Sequence, residues 1–214
     1  MLPLLLEYAP LISAGLTGVT AAIWIVYLNV FLMSYRRQHC PSILITSGAG
    51  RGLNSHCFVT NLGLEPVFLL DIVLDARTTD GQRLHAVIPE RNERHSDDES
   101  PDTDARWATN LGPLASGEEK DIGRFTTLIQ RARAENPDWA EDLTFRSLKI
   151  TVVAVTASRA ELYGAEREYV LGEDRHGHAC LRPTTIKARQ IDSFFGRRAL
   201  GRVLREDLGL MDNP

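Results

Sequence analysis

His176, His178 and Cys180 are the side chains best suited to chemistry, because alternate positions on a strand share one face. With His56 and Cys57 on a neighbouring strand they would form a set of nitrogen and sulfur donors of the kind that holds zinc tetrahedrally. The spacing matches no ordinary zinc module, however, and Gly177 favours a turn at His176. Cysteines in a reducing compartment are also commonly small core residues. A nucleophilic Cys57 or Cys180 would need an oriented histidine or a helix N-terminus to lower its thiol pKa, and the sequence displays neither. A metal-dependent sensor or enzyme is therefore only the alternative reading. No catalytic residue, metal ligand or cofactor is assigned.

The segment SGAGRG, Ser47 to Gly52, invites comparison with phosphate-binding loops, whose glycines let backbone N–H groups approach an anion at a helix N-terminus. The next residues, LNSHCFVTNL, have a strand pattern; no GK[ST] is present, and the third glycine falls too early for G-x-G-x-x-G. A glycine-rich hairpin turn is expected here, facing lipid headgroups because it closely succeeds an apolar segment. Glu90 to Asp104, ERNERHSDDESPDTD, lacks the D-x-D-x-D-G pattern of a calcium loop. With no large apolar residue it is expected to be a mobile acidic loop. The chain has no G-x-S-x-G, H-E-x-x-H, kinase or Walker pattern.

Overall charge limits the partners. Lys and Arg total 24 against 28 Asp and Glu, a net charge of -4, which argues against a nucleic-acid partner and makes any basic function local. Only Lys120, Lys149 and Lys187 are lysines. That preference reads as the codon usage of a GC-rich, bacterial genome rather than as arginine chemistry. A chain of 214 residues, 43% apolar and 24% charged, is not collagen, a wholly disordered chain or a multi-span transporter.

Leu11 to Met33 carries no charged residue, which predicts a transmembrane helix over 11–35, long enough for the ~30 Å hydrocarbon layer. Trp24, Tyr27 and Tyr35 fall toward one end, as in an interfacial belt, and Arg36 and Arg37 come next. The basic flank predicts a signal anchor with residues 1–10 outside and the remainder cytoplasmic, in the inner membrane of a bacterium. Ala14, Gly18 and Ala22 recur every four residues, and Asn29 continues the stripe. That face suits helix pairing, with a second copy or another membrane protein.

Residues 41–183 read as short strands punctuated by turn residues, at Ile43 to Thr46, His56 to Asn61, Val67 to Leu74, Arg83 to Ile88, Ile122 to Thr126, Leu148 to Thr156, Arg167 to Leu171 and His178 to Leu181. One helix is expected from Thr127 to Ala134, resuming through Asp138 to Asp142. The fold class is mainly β: an antiparallel immunoglobulin-like sandwich behind a single membrane helix, with a helical insertion and a C-terminal helix. Residues 184–214 are expected to be helical, capped by Thr184 and broken near Gly196. Phe194 and Phe195 are expected to dock on the domain, leaving Arg198, Arg202 and Arg205 on a basic face that contacts solvent or, alternatively, anionic lipid or a partner. The functional expectation is a single-pass, non-enzymatic interaction module, either a scaffold or an accessory subunit of a membrane complex.

Overall fold

The computed structural model describes residues 2–38, 41–88, 111–136, 139–140, 143–156 and 161–207. The expected acidic loop, most of the expected helical resumption at Asp138 to Asp142, and Cys40 lie outside them. The chain divides into two units, residues 1–40 and 41–214.

The first unit is one helix, α1 (Leu2–Gln38). It starts well before the expected residue 11, because Leu2 to Pro10 is apolar but for Glu7 and Pro3 sits in the first turn, where a missing N–H is tolerated. Ser13–Tyr35 has a mean hydropathy of 1.9 and none of it is buried, so the helix is long and apolar enough to cross a membrane. Its polar side chains turn back on their own backbone: Thr17 Oγ1 donates to the Ser13 carbonyl (2.8 Å), Thr20 Oγ1 to Leu16 (2.8 Å) and Asn29 Nδ2 to Ile25 (3.1 Å).

In the second unit the order is β1 (Ile43–Gly48), β2 (His56–Asn61), β3 (Val67–Thr78), β4 (Arg83–Val87), β5 (Gly112–Leu114), β6 (Glu119–Arg124), α2 (Phe125–Glu135), β7 (Phe145–Thr156), β8 (Leu162–Glu173), β9 (Ala179–Pro183), β10 (Arg189–Ile191) and α3 (Phe194–Asp207). The unit is mainly β, and every strand pair is antiparallel. A small sheet has the order β1-β2-β6; a larger one runs β10-β8-β7-β3-β4, with β5 also pairing β3 and β9 also pairing β8.

The core arises from side-chain alternation. On β7, Leu148, Ile150, Val152 and Ala154 are buried toward one side. On β3 the phase changes from Leu69 to Ile72, Leu74 and Ala76, because a register shift between Leu69 and Asp71 moves the odd phase to the even one. Ile43, Ile45, Cys57, Val59 and Ile122 of the small sheet join the same cluster. Helix α2 adds Phe125, Leu128, Ile129 and Ala132, at the i, i+3, i+4, i+7 spacing of one helix face. Fully burying each large aliphatic contributes about 1.5–3 kcal/mol.

One charge lies among them. Arg167 is 8% exposed; its guanidinium donates to the carbonyls of Ile45, Thr185 and Ile186, and stands 5.6 Å from the Tyr169 ring centroid. It ties the small sheet and the 184–187 segment to β8.

The other face of the large sheet is covered in part by α3. Leu200 packs on Val73 and Val153, with Val203, Leu204, Leu162 and Ile191 around them. Gly164 leaves room for this helix, since a Cβ there would stand 2.7 Å from Leu200 Cδ1. The C-terminal expectations need correction. Helix does not begin at Thr184, and β10 joins the large sheet because Arg189 pairs with Glu166 while the Gln190 amide bonds both the N–H and carbonyl of Ile43. Helix α3 begins at Phe194, where Ser193 Oγ accepts from the Gly196 N–H as an N-cap does (3.2 Å). The leucine face docks, whereas Phe194 and Phe195 are exposed.

Candidate functional site

The His/Cys set does not assemble. Asp174 to His178 is the β8–β9 turn, in which Asp174 Oδ1 accepts from the N–H groups of His176 (2.8 Å) and His178 (2.9 Å). These bonds hold the Asp174 carboxyl below its ordinary pKa. His56 Nδ1 donates to Asp121 Oδ2 (2.6 Å), and its Nε2 accepts from Arg124 (3.2 Å). Cys57 is fully buried, and burial pushes its thiol pKa far up, the opposite of what a nucleophile needs. Among the described residues no three His, Cys, Asp or Glu side chains gather as metal ligands would.

Strand β1 runs away from Pro41 and ends in the glycine segment, so SGAGRG lies at the far end of the domain from Pro41. It packs on β9, where a Cβ on Gly52 would come within 3.1 Å of the Ala179 methyl.

Polar side chains do converge on the outer face of the large sheet, beyond the ground that α3 covers. The register sets Arg189 against Glu166, Lys149 between Asp75 and Glu168, and Asp75 against His85. The contacts form a line of alternating charge across β10, β8, β7, β3 and β4: Arg189 to Glu166 at 2.6 Å, Lys149 to Glu166 at 3.8 Å and to Asp75 at 3.0 Å, and His85 to Asp75 at 2.6 Å. Burial pushes the Asp75 carboxyl up, but hydrogen bonds from His85 and Lys149 more than offset it, leaving its pKa below the ordinary value.

One rung further the alternation fails. Arg77 on β3 stands directly opposite Arg83 on β4, and both are exposed. Like charges directly opposite destabilise a strand pair, and among the described residues neither arginine has an ion-pair partner. Together with Arg146 and Glu168 they line a cleft of about 380 Å³; a second, of about 350 Å³, shares Arg77, Arg83 and Glu168 and extends along His85 and Lys149. Three guanidiniums against one carboxylate suit an incoming carboxylate or phosphate, because the planar fork of arginine donates to two oxygens at once. Beyond it β4 is the last strand of the sheet order, and among the described residues its outer edge has no strand partner.

Composition gives no sign of this cleft, because an arginine preference reads first as codon usage. A local signal exists: Arg77 and Arg83 flank TTDGQ, whose Asp-Gly marks a hairpin turn that sets the two arginines face to face.

The expected helix residues are placed along α1 and α3. Ala14, Gly18, Ala22 and Asn29 are exposed on α1, and a Cβ at Gly18 would meet no atom within 4 Å. Trp24 and Tyr27 meet edge to face at 6.1 Å, and Tyr35 stacks on Phe31 at 6.3 Å. Arg36 and Arg37 lie on α1, but their side chains fall outside the described ones. Arg198, Arg202 and Arg205 are all exposed on α3, on the side away from the docked leucines.

No protein-family model matches the chain, and no curated protein or solved structure matches it. Any functional reading therefore rests on this geometry.

Proposed function

We propose that this protein is a non-enzymatic interaction module held at a membrane by α1, and that its domain receives an acidic segment of a partner protein along Arg77, Arg83, Arg146 and the edge of β4. The observation that carries the reading is the Arg77–Arg83 pair: a sheet that matches opposite charges across its outer face sets two like charges against each other beside its β4 edge, which has no strand partner among the described residues. An acidic strand laid beside β4 would complete both the backbone ladder and the charge balance. The two antiparallel sheets sharing one core support reading the domain as an immunoglobulin-like sandwich, a form that commonly presents edges and loops for recognition. Within the same proposal, Arg36 and Arg37 favour a cytoplasmic domain with the N-terminus outside. The Ala14, Gly18 and Ala22 face favours association of α1 with another membrane helix.

The test is affinity purification of the full chain from gently solubilised native membranes, comparing the natural protein with the double substitution Arg77→Glu and Arg83→Glu. A stoichiometric partner that is retained by the natural protein, weakened by salt and lost from the charge-reversed one is the expected result. Retention of the same partner by both would remove the cationic cleft from the reading. A companion substitution, Gly18→Ile, is expected to weaken association through α1 while leaving binding at the cleft unchanged.

A further inference from the structure

At the opposite end of the domain from the Arg77–Arg83 hairpin, apolar side chains stand in the open. Pro41 and Ser42 begin the domain there, and the β2–β3 turn returns to the same place: the Leu62 N–H donates to the Ser42 carbonyl at 2.8 Å. The turn leaves Leu62 56% and Leu64 66% exposed. Tyr163 donates to the Pro41 carbonyl at 2.7 Å and Gln190 bonds Ile43, which brings the start of β8 and the end of β10 to this end as well. Three residues past β10 come Phe194 and Phe195, 66% and 82% exposed, packed edge to face on each other at 5.7 Å. Two segments more than a hundred positions apart thus set bulky apolar groups at one end of one domain, although α3 had apolar ground available on the sheet and used it for its leucines. The charges nearby do not build a basic patch, because Arg197 pairs with Glu161, and Asp192, Glu65 and Arg198 are of mixed sign.

We infer that this end of the domain is a lipid-contacting surface, in which Leu62, Leu64, Phe194 and Phe195 enter the boundary between headgroups and acyl chains of a bilayer. The inference rests on the membrane reading of α1. Pro41 comes three positions after Gln38, the last residue of α1, and a chain spans at most about 3.6 Å per residue. A helix that ends at the interface therefore keeps Pro41, where this end of the domain begins, within about 11 Å of the lipid. Phenylalanine and leucine on a tethered domain gain there by leaving water, without needing anionic lipid. The contact lies at the aromatic start of α3, not along Arg198, Arg202 and Arg205.

The experiment is site-directed spin labelling of the full chain reconstituted in phosphatidylcholine vesicles, with Cys40 and Cys180 replaced by serine and single labels introduced through Leu64→Cys, Phe195→Cys, Asp80→Cys and Trp24→Cys. Collision with oxygen relative to a water-soluble nickel complex reads depth. Labels at 64 and 195 are expected to show a ratio several-fold above that at 80, in the direction of the label at 24. Water-like values at 64, 195 and 80 with a lipid value at 24 would overturn the inference while leaving the anchor standing. Labels at 64 and 195 shielded from both reagents would mean that protein covers this end, which overturns it too. A water-like value at 24 would bring down the anchor reading and the inference together.

Discussion

On the inner side of the large sheet β7 gives Leu148, Ile150, Val152 and Ala154 to one apolar core; on the outer side it gives Lys149 to a line of charges and Val153 to a small patch under Leu200. One strand thus serves two surfaces with different physics. The inner face is closed, so each side chain there is held from several directions and its loss leaves a void. The outer face is assembled in pieces, an apolar stretch roofed by α3, a set of paired charges, and a rung of arginines that have no ion-pair partner among the described residues. Stability belongs to the first face, and the binding proposed above draws on the second.

That contrast can be broken by substitution in the full chain, read as urea unfolding in detergent. Leu148→Ala, fully buried on the inner face, is expected to cost about 3 kcal/mol. Arg167→Leu should cost about 2–3 kcal/mol, since three carbonyls lose their donor while the new side chain refills part of the space. Leu200→Ala is expected to cost about 2 kcal/mol and to raise amide exchange in α3 selectively. A cost for Leu200→Ala equal to that of Leu148→Ala, with no selective exchange, would mean that the two faces behave as one core.

Asp75→Asn should cost less, roughly 0.5 kcal/mol at neutral pH, because the carboxylate is a third exposed and its pairs are partly screened. Its folded pKa is depressed, so the stabilisation is present above the unfolded value near ~4 and is lost as pH falls through the folded value. The stability difference between the natural chain and Asp75→Asn is therefore expected to shrink in acid; a difference that persists there would assign the effect to packing. Last in size, Arg77→Glu with Arg83 retained should leave stability within about 0.5 kcal/mol or raise it slightly, by turning a like pair into an opposite one. A large loss of stability would show that the cleft is structural.

Much of the inner face is legible in the sequence, because burial on one side of a strand writes itself as alternation. LKITVVAVT and HCFVTN reveal their strands, and TLIQRARA its helix. Boundaries slip where an element ends by tertiary contact: Phe125 and Thr126 open α2 instead of finishing a strand, and β8 runs back to Leu162 because β7 pairs it along that length. Two three-residue strands, β5 and β10, are invisible, being too short for any period to show. The outer face is hardest to read. Its charges mean little one at a time, and only the register that sets Arg77 against Arg83, and Lys149 against Asp75, gives them a pattern. The exposed pair at Phe194 and Phe195 departs from expectation for a related reason, since helical periodicity identifies two apolar arcs without saying which of them the sheet will cover.

The pairing of β3 with β7 also constrains the order of events during synthesis. Val67 meets Thr156 and Thr78 meets Phe145, so the central strand pair joins segments that leave the ribosome far apart in time. Neither can close the core until β7 has emerged, and the entropy of bringing distant segments together is spent before their contacts repay it. The apolar helix α1 has no such dependence, since its hydrogen bonds are local and complete as soon as it is made. It is therefore available to a membrane while β3 still waits for its partner, and the domain completes its fold on a chain whose first segment has already formed.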